Sequence, residues 1–195
     1  MTPLPEPPRR PVAPRLGELS AIEAPGADEE VVLSQVEVRD LWWAGAALDY
    51  AELHEVRLVA PSIADTQWHR ASLVDVVIEQ GDLSNATFAD SGWRRTTVTG
   101  SRLTGLWLAK ATVRDVTITD STATMANLRE AVLDRVVLRG VSLARVDFGS
   151  ARLSSVVLED CDLSGADLTG ARLQQVELRG CTLTGLHGIT GLRGA

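Results

Sequence analysis

Residues 151–185 read ARLSS VVLED CDLSG ADLTG ARLQQ VELRG CTLTG when divided every five, and the third residue of each group is Leu (Leu153, Leu158, Leu163, Leu168, Leu173, Leu178, Leu183). Neither common period does this: a helix stripe recurs about every 3.6 residues and a strand alternates every 2. Followed backwards, the apolar third position continues to Leu33 without insertion or deletion. It passes through Phe148, Leu128, Ala123, Ile118, Trp93, Phe88, Trp68 and Trp43, giving 31 consecutive units.

The residue two places before each centre is usually small or β-branched, and sorting by every fourth unit separates two columns. One reads Val31, Ala51, Ala71, Ser91, Ala111, Ala131, Ala151, Ala171; the next reads Val36, Val56, Val76, Thr96, Val116, Val136, Val156, Val176. Like falls on like only if the chain returns to its start after four groups, so twenty residues make one coil. Gly100, Gly140 and Gly180 share a column with Asp40, Asp120 and Asp160, the residues that tight turns favour. Backbone pairing sets neighbouring coils about 4.8 Å apart, which predicts nearly eight coils in a rod roughly 35–40 Å long.

This pattern resembles the pentapeptide-repeat family, whose consensus is Ala-(Asp/Asn)-Leu-x-x. The purest copies are Ala126-Asn127-Leu128, Cys161-Asp162-Leu163 and Ala166-Asp167-Leu168. The resemblance covers residues 31–185 and implies an all-β fold, a right-handed quadrilateral parallel β-helix of about eight coils. Trp at three inward centres (Trp43, Trp68, Trp93) departs from the family's usual Leu or Phe. Trp93 needs room that Ala123, on the opposite face one coil away, is expected to supply. Ala123→Leu should then overpack that layer at a cost of roughly 1–3 kcal/mol.

Three segments follow: a Pro-rich tail and N-terminal cap over 1–30, the repeat over 31–185, and a C-terminal lid over 186–195. Seven of the eight prolines lie in residues 1–25. Each removes a backbone donor and fixes φ, so residues 1–15 are expected to be extended or disordered, as a solvated leader or a docking ligand. Leu16, Leu19 and Ile22 have helix-like spacing and suggest one short amphipathic turn. At the other end Leu186, Ile189 and Leu192 recur every third residue among glycines, as an irregular lid would. In gyrase-binding members of the family a helix after the coils makes the dimer. No helical pattern follows Leu183, so that kind of dimer is not expected and the oligomeric state stays open.

Acids number 26 against 19 bases, a formal net charge of −7, which argues against direct nucleic-acid binding, since duplex binding draws on clustered Lys and Arg. Neither a membrane-spanning run nor a secretory leader is visible, and two cysteines make no disulfide framework; a cytoplasmic location is expected. His54, His69 and His187 fall on different parts of the coil and cannot converge as metal ligands or a triad. Cys161 and Cys181 share an inward column in adjacent coils, where a disulfide is geometrically conceivable but buried thiols in place of Ala or Val are expected, and an inward thiol is inert. No enzyme, cofactor or metal is expected.

Function is then expected on the outer faces. The face of Val38 carries 7 acids (Glu37, Asp40, Glu79, Asp120, Glu159, Asp160, Glu177) and 4 bases. The resemblance implies a specific partner: members of this size bind DNA gyrase or topoisomerase IV by mimicking duplex DNA and protect them from drugs or toxins. Asp147, Glu159, Asp160, Asp167 and Glu177 are the densest acidic set and the candidates for that contact. The alternative is a generic interaction scaffold with another partner, docking through a flat Thr/Ala/Val face marked by Thr97, Thr99, Thr117, Thr119, Val137 and Val157.

Overall fold

The computed structural model describes residues 7–27 and 31–189. Among them, parallel strands pair in chain order as one sheet: β1 (Ser20–Ile22), β2 (Val32–Arg39), β3 (Glu52–Val59), β4 (Ser72–Glu79), β5 (Gly92–Thr99), β6 (Thr112–Thr119), β7 (Val132–Arg139), β8 (Arg152–Glu159) and β9 (Arg172–Arg179). From β2 onward the register advances twenty residues per coil, placing Leu33 beside Leu53, Leu53 beside Leu73 and so on to Leu153 beside Leu173. The fold is the expected all-β solenoid of about eight turns, one coil per four repeats.

The four faces of a coil differ in how they pair. Faces one and two run through a single eight-residue strand, such as Ser72–Glu79. Faces three and four each touch the next coil through one bridge per group, for example Ser62 to Asp82 and Gln67 to Thr87. What turns the chain is uniform: every fifth residue from Gln35 to Gly185 has a positive φ, between 50° and 76°. That conformation suits Gly and is tolerated by Asp and Asn, but is an outlier for a β-branched residue. The corner positions accordingly hold Asp65, Asp75, Asn85, Asp90, Gly105, Asp115 and Gly165 among others, and no Val, Ile or Thr.

Between corners, two residues of each five point inward. The centres from Leu33 to Leu168 are buried apart from Ile118, which is half-buried, and the Ala column from Ala51 to Ala151 leaves room for them at each turn. The three tryptophans are core residues joined to Phe88 in one aromatic run. Trp43 and Trp68 have centroids 5.8 Å apart, Trp68 stacks on Phe88 at 5.1 Å, and Phe88 meets Trp93 edge-on at 5.1 Å. Trp43 Nε1 donates to Pro25 O and Trp68 Nε1 to Thr66 Oγ1, both at 2.7 Å. Trp93 Nε1 is buried without a partner.

The expected compensation between Trp93 and Ala123 is corrected. An apolar cavity of about 30 Å³ lies in that layer, lined by Trp93, Leu103, Leu106, Val113, Ala123, Ala126, Phe148 and neighbours. Below Trp93 the same face continues with Val113 while the facing column offers only Ala123. Two small residues in facing positions leave a void that the indole borders and does not fill.

The N-terminal segment also departs from expectation. Leu16, Leu19 and Ile22 form no helical turn: residues 20–22 are β1, which pairs in parallel with Val36–Val38 at the open edge of the first coil. A strand wins here because β2 offers unpaired backbone donors and acceptors, which three paired residues satisfy and a lone helical turn cannot. Nor are residues 7–15 a solvated leader. They lie along the rod, with Val12 N–H donating to Asp115 and Arg15 N–H to Asp75. At the other end, His187 bridges to Asp167, and Gly188 sits so close to Thr169 that an added Cβ would meet its backbone nitrogen at 2.2 Å. Leu183 is 42 % exposed; the rest of the expected lid, residues 190–195, lies outside the described residues.

Candidate functional site

The solenoid fixes where each candidate acid stands. Asp147 and Asp167 occupy the same position of face four in adjacent coils. Glu159 and Glu177 belong to face two, on the opposite side, and Asp160 stands at the corner between faces two and three. They do not form one acidic side. Most are also neutralised locally: Glu159 accepts from Arg139 Nε at 2.6 Å, Glu177 pairs with Arg179, and Asp147 lies 3.3 Å from Arg129 Nη1. The same holds up the rest of face two, where Arg57 Nη2 lies 2.8 Å from Glu79 and Arg39 Nη2 lies 2.7 Å from Glu37.

What remains of the acids on face two is a row along one edge. Asp40, Asp120 and Asp160 take part in no ion pair among the described residues, and all three sit in the left-handed corner conformation between faces two and three. Asp120 and Asp160 are two coils apart, about 9.6 Å at the usual strand spacing. Asp167 likewise has no ion pair. It accepts from Thr169 N at 2.8 Å and Thr169 Oγ1 at 2.5 Å, which hold its carboxyl below the ordinary range.

The Thr/Val candidates do gather. Thr97, Thr117, Val137 and Val157 are successive register partners on face two, flanked by Thr99 beside Thr119, whose hydroxyls are 3.1 Å apart. All six are half-buried, and the N-terminal segment lies across from four of them. Pro7, Pro8, Arg10 and Pro11 form one wall of a cleft of about 520 Å³, and Thr117, Thr119, Val137 and Val157 lie on its other side beside Arg139, Glu159 and Arg179.

The segment is anchored at two corner carboxylates, Asp75 and Asp115. Both are buried, and both are lowered from the ordinary value chiefly by a hydrogen-bonded arginine, Arg95 and Arg135 respectively. Their role is invisible to repeat counting. The signal that would have revealed them is the alternation Asp75, Arg95, Asp115, Arg135 in a single column.

Cys161 and Cys181 are free thiols. The Cys161 Sγ donates to Leu138 O and Glu159 O at 3.4 and 3.3 Å, and burial pushes this thiol up. They work as small hydrogen-bonded column residues, as Ser101 does when its hydroxyl donates to Thr99 O and accepts from Gly81 N.

Fold and surface together define a four-sided β-solenoid of five-residue repeats with one face crossed by its own N-terminal segment. Residues 119–160 and 147–185 match the family described as pentapeptide repeats, and the coils of that stretch are pentapeptide repeats. Among solved structures it is similar to HetL, a pentapeptide-repeat protein involved in heterocyst differentiation regulation from the cyanobacterium Nostoc sp. strain PCC 7120. The two share 22 % identity at a TM-score of 0.50, over 82 % of this chain and 88 % of that one. Trypsin-treated QnrB1, a plasmid-mediated fluoroquinolone resistance protein, aligns at 19 % identity and a TM-score of 0.45, over 87 % of this chain and 90 % of that one. These are likenesses of fold. No curated protein matches the chain.

Proposed function

We propose that this protein is a non-catalytic, cytoplasmic binding rod that engages a type II topoisomerase, DNA gyrase or topoisomerase IV, in place of duplex DNA. What supports this reading is a net charge of −7 on a slender rod, with the unpaired carboxylates Asp40, Asp120 and Asp160 aligned on one edge. Duplex DNA carries one charge per about 1.7 Å, so the contact would use that edge and Asp167 rather than the Arg-paired Glu159, Glu177 and Asp147. The test is a gyrase supercoiling assay titrated with purified protein, with and without a quinolone, at low and high salt. Inhibition or drug protection that weakens with salt, and is lost in an Asp120→Lys, Asp160→Lys double variant, is expected. No effect on gyrase or topoisomerase IV would overturn the choice of partner.

A second reading has its own observation, the cleft over Thr117, Thr119, Val137 and Val157. Its apolar side and charged rim suit an extended segment of a different protein partner. Under that reading Val137→Glu abolishes capture of the partner while the corner reversals leave it intact.

A further inference from the structure

The contact between the N-terminal segment and the rod has a register. Val12 N–H donates to Asp115 Oδ1 at 3.2 Å and Arg15 N–H to Asp75 Oδ1 at 2.9 Å. The donors are three residues apart and the acceptors two coils apart. A polyproline II helix rises about 3.1 Å per residue, hence about 9.3 Å per three-residue turn. Two coils at the usual strand spacing span about 9.6 Å. One turn of such a segment therefore keeps step with two coils of rod.

Both partners carry that period in their sequences. In the segment, Pro8, Pro11 and Pro14 recur every third residue and are half-buried, while Arg9, Val12 and Arg15 turn their side chains to solvent. On the rod, the acceptors alternate with arginines that hold them in place. Arg95 Nε donates to Asp75 Oδ1 at 2.6 Å, and Arg135 Nε and Nη2 donate to Asp115 at 2.6 and 2.8 Å. A one-residue slip that brought residues 11 and 14 to the aspartates would offer them two prolines, which have no N–H to give. The opposite slip would turn the proline face away from the rod.

We propose that the corner carrying Asp75 and Asp115 is a receptor site for an extended peptide with proline at every third residue, and that residues 7–16 are its resident, removable ligand. Seated, this strap walls the cleft over Val137 and Val157; lifted, it opens face two. The proposal is independent of which partner the rod engages.

The test uses the full-length chain with Pro8→Ser, Pro11→Ser and Pro14→Ser, which leaves the rod unaltered. The probe is a fluorescent synthetic peptide, PPRRPVAPRL, corresponding to residues 7–16. The variant is expected to bind it, and the natural chain to bind it at least about tenfold more weakly, because its own strap competes at high effective concentration. A peptide with one Ala inserted after Val12 should bind neither chain. Trypsin should cut the variant after Arg15 at least about tenfold faster than the natural chain, since cleavage follows the open population. Equal cleavage of the two chains, equal or absent peptide binding, or undiminished binding of the inserted peptide would each overturn the proposal.

Discussion

The backbone N–H of Arg15 donates to Asp75 Oδ1 at 2.9 Å across 60 residues of chain. The carboxylate it reaches is 3 % exposed. The Asp75 carboxyl lies below its ordinary value, first because Arg95 hydrogen-bonds its charged form. Burial opposes this, and the Arg15 N–H and the nearby His54 add to it. Asp115 is set in the same way by Arg135, against burial, with help from Val12 N–H and Arg114.

A group depressed on folding contributes its full stability above its unfolded value and loses it as pH falls through the folded one. With an unfolded Asp near about 3.9, the segment should stay seated down to about pH 5 and lift only below about pH 4. Hydrogen exchange of residues 7–19, corrected for the intrinsic rate, measures this. Release well above about pH 5 would show that the two carboxylates do not hold the segment.

Filling the cavity beneath Trp93 should stabilise the rod. Ala123 is on its wall, and each buried CH₂ is worth about 0.8 kcal/mol before strain. Ala123→Leu is therefore expected to raise stability by up to about 1 kcal/mol, or about 2–4 °C in Tm for a chain of this size. A fall of about 1–3 kcal/mol, the cost of overpacking, would show that the layer cannot open to accept the longer side chain.

Corner conformation gives a third expectation. Ala60 has φ 51°, where a Cβ costs roughly 1–2 kcal/mol and branching at Cβ makes matters worse. Ala60→Val should lower the denaturation midpoint, while Ala60→Gly should hold or raise it. Equal losses in both variants would mean that the alanine methyl contributes packing that outweighs its backbone strain.

The repeat made coil length, inward centres and packing columns legible, because a five-residue period leaves one way to stack Leu on Leu and Val on Val. The corners were half legible: the Asp40 to Gly180 column stood out, whereas Arg70, Lys110, Met125 and Arg135 hold the same conformation with no residue-type signature beyond the missing β-branched ones. The acidic candidates read as one acidic side, whereas the coil puts Asp147 and Glu159 on opposite sides. The strap was unreadable for another reason. Pro8, Pro11 and Pro14 show the period of the ligand, and Asp75 and Asp115 that of the receptor, but only a comparison of about 3.1 Å per residue with about 4.8 Å per coil joins them.

Two threonines of the core should respond in opposite directions to the same substitution. Thr96 lies between Val76 and Val116 in its column, fully buried, and its Oγ1 has no partner. Thr66 is equally buried, but its Oγ1 donates to Ile63 O at 2.6 Å and accepts from Trp68 Nε1 at 2.7 Å. Thr96→Val removes an unpaired hydroxyl from an apolar site and should stabilise by about 1–2 kcal/mol. Thr66→Val leaves the Trp68 indole N–H and the Ile63 carbonyl unsatisfied and should cost about 1–3 kcal/mol. Thermal unfolding of the two variants beside the parent chain reads both signs at once. A shift in the same direction for both would mean that hydroxyl pairing does not govern this core, and that the shape of the added methyl does.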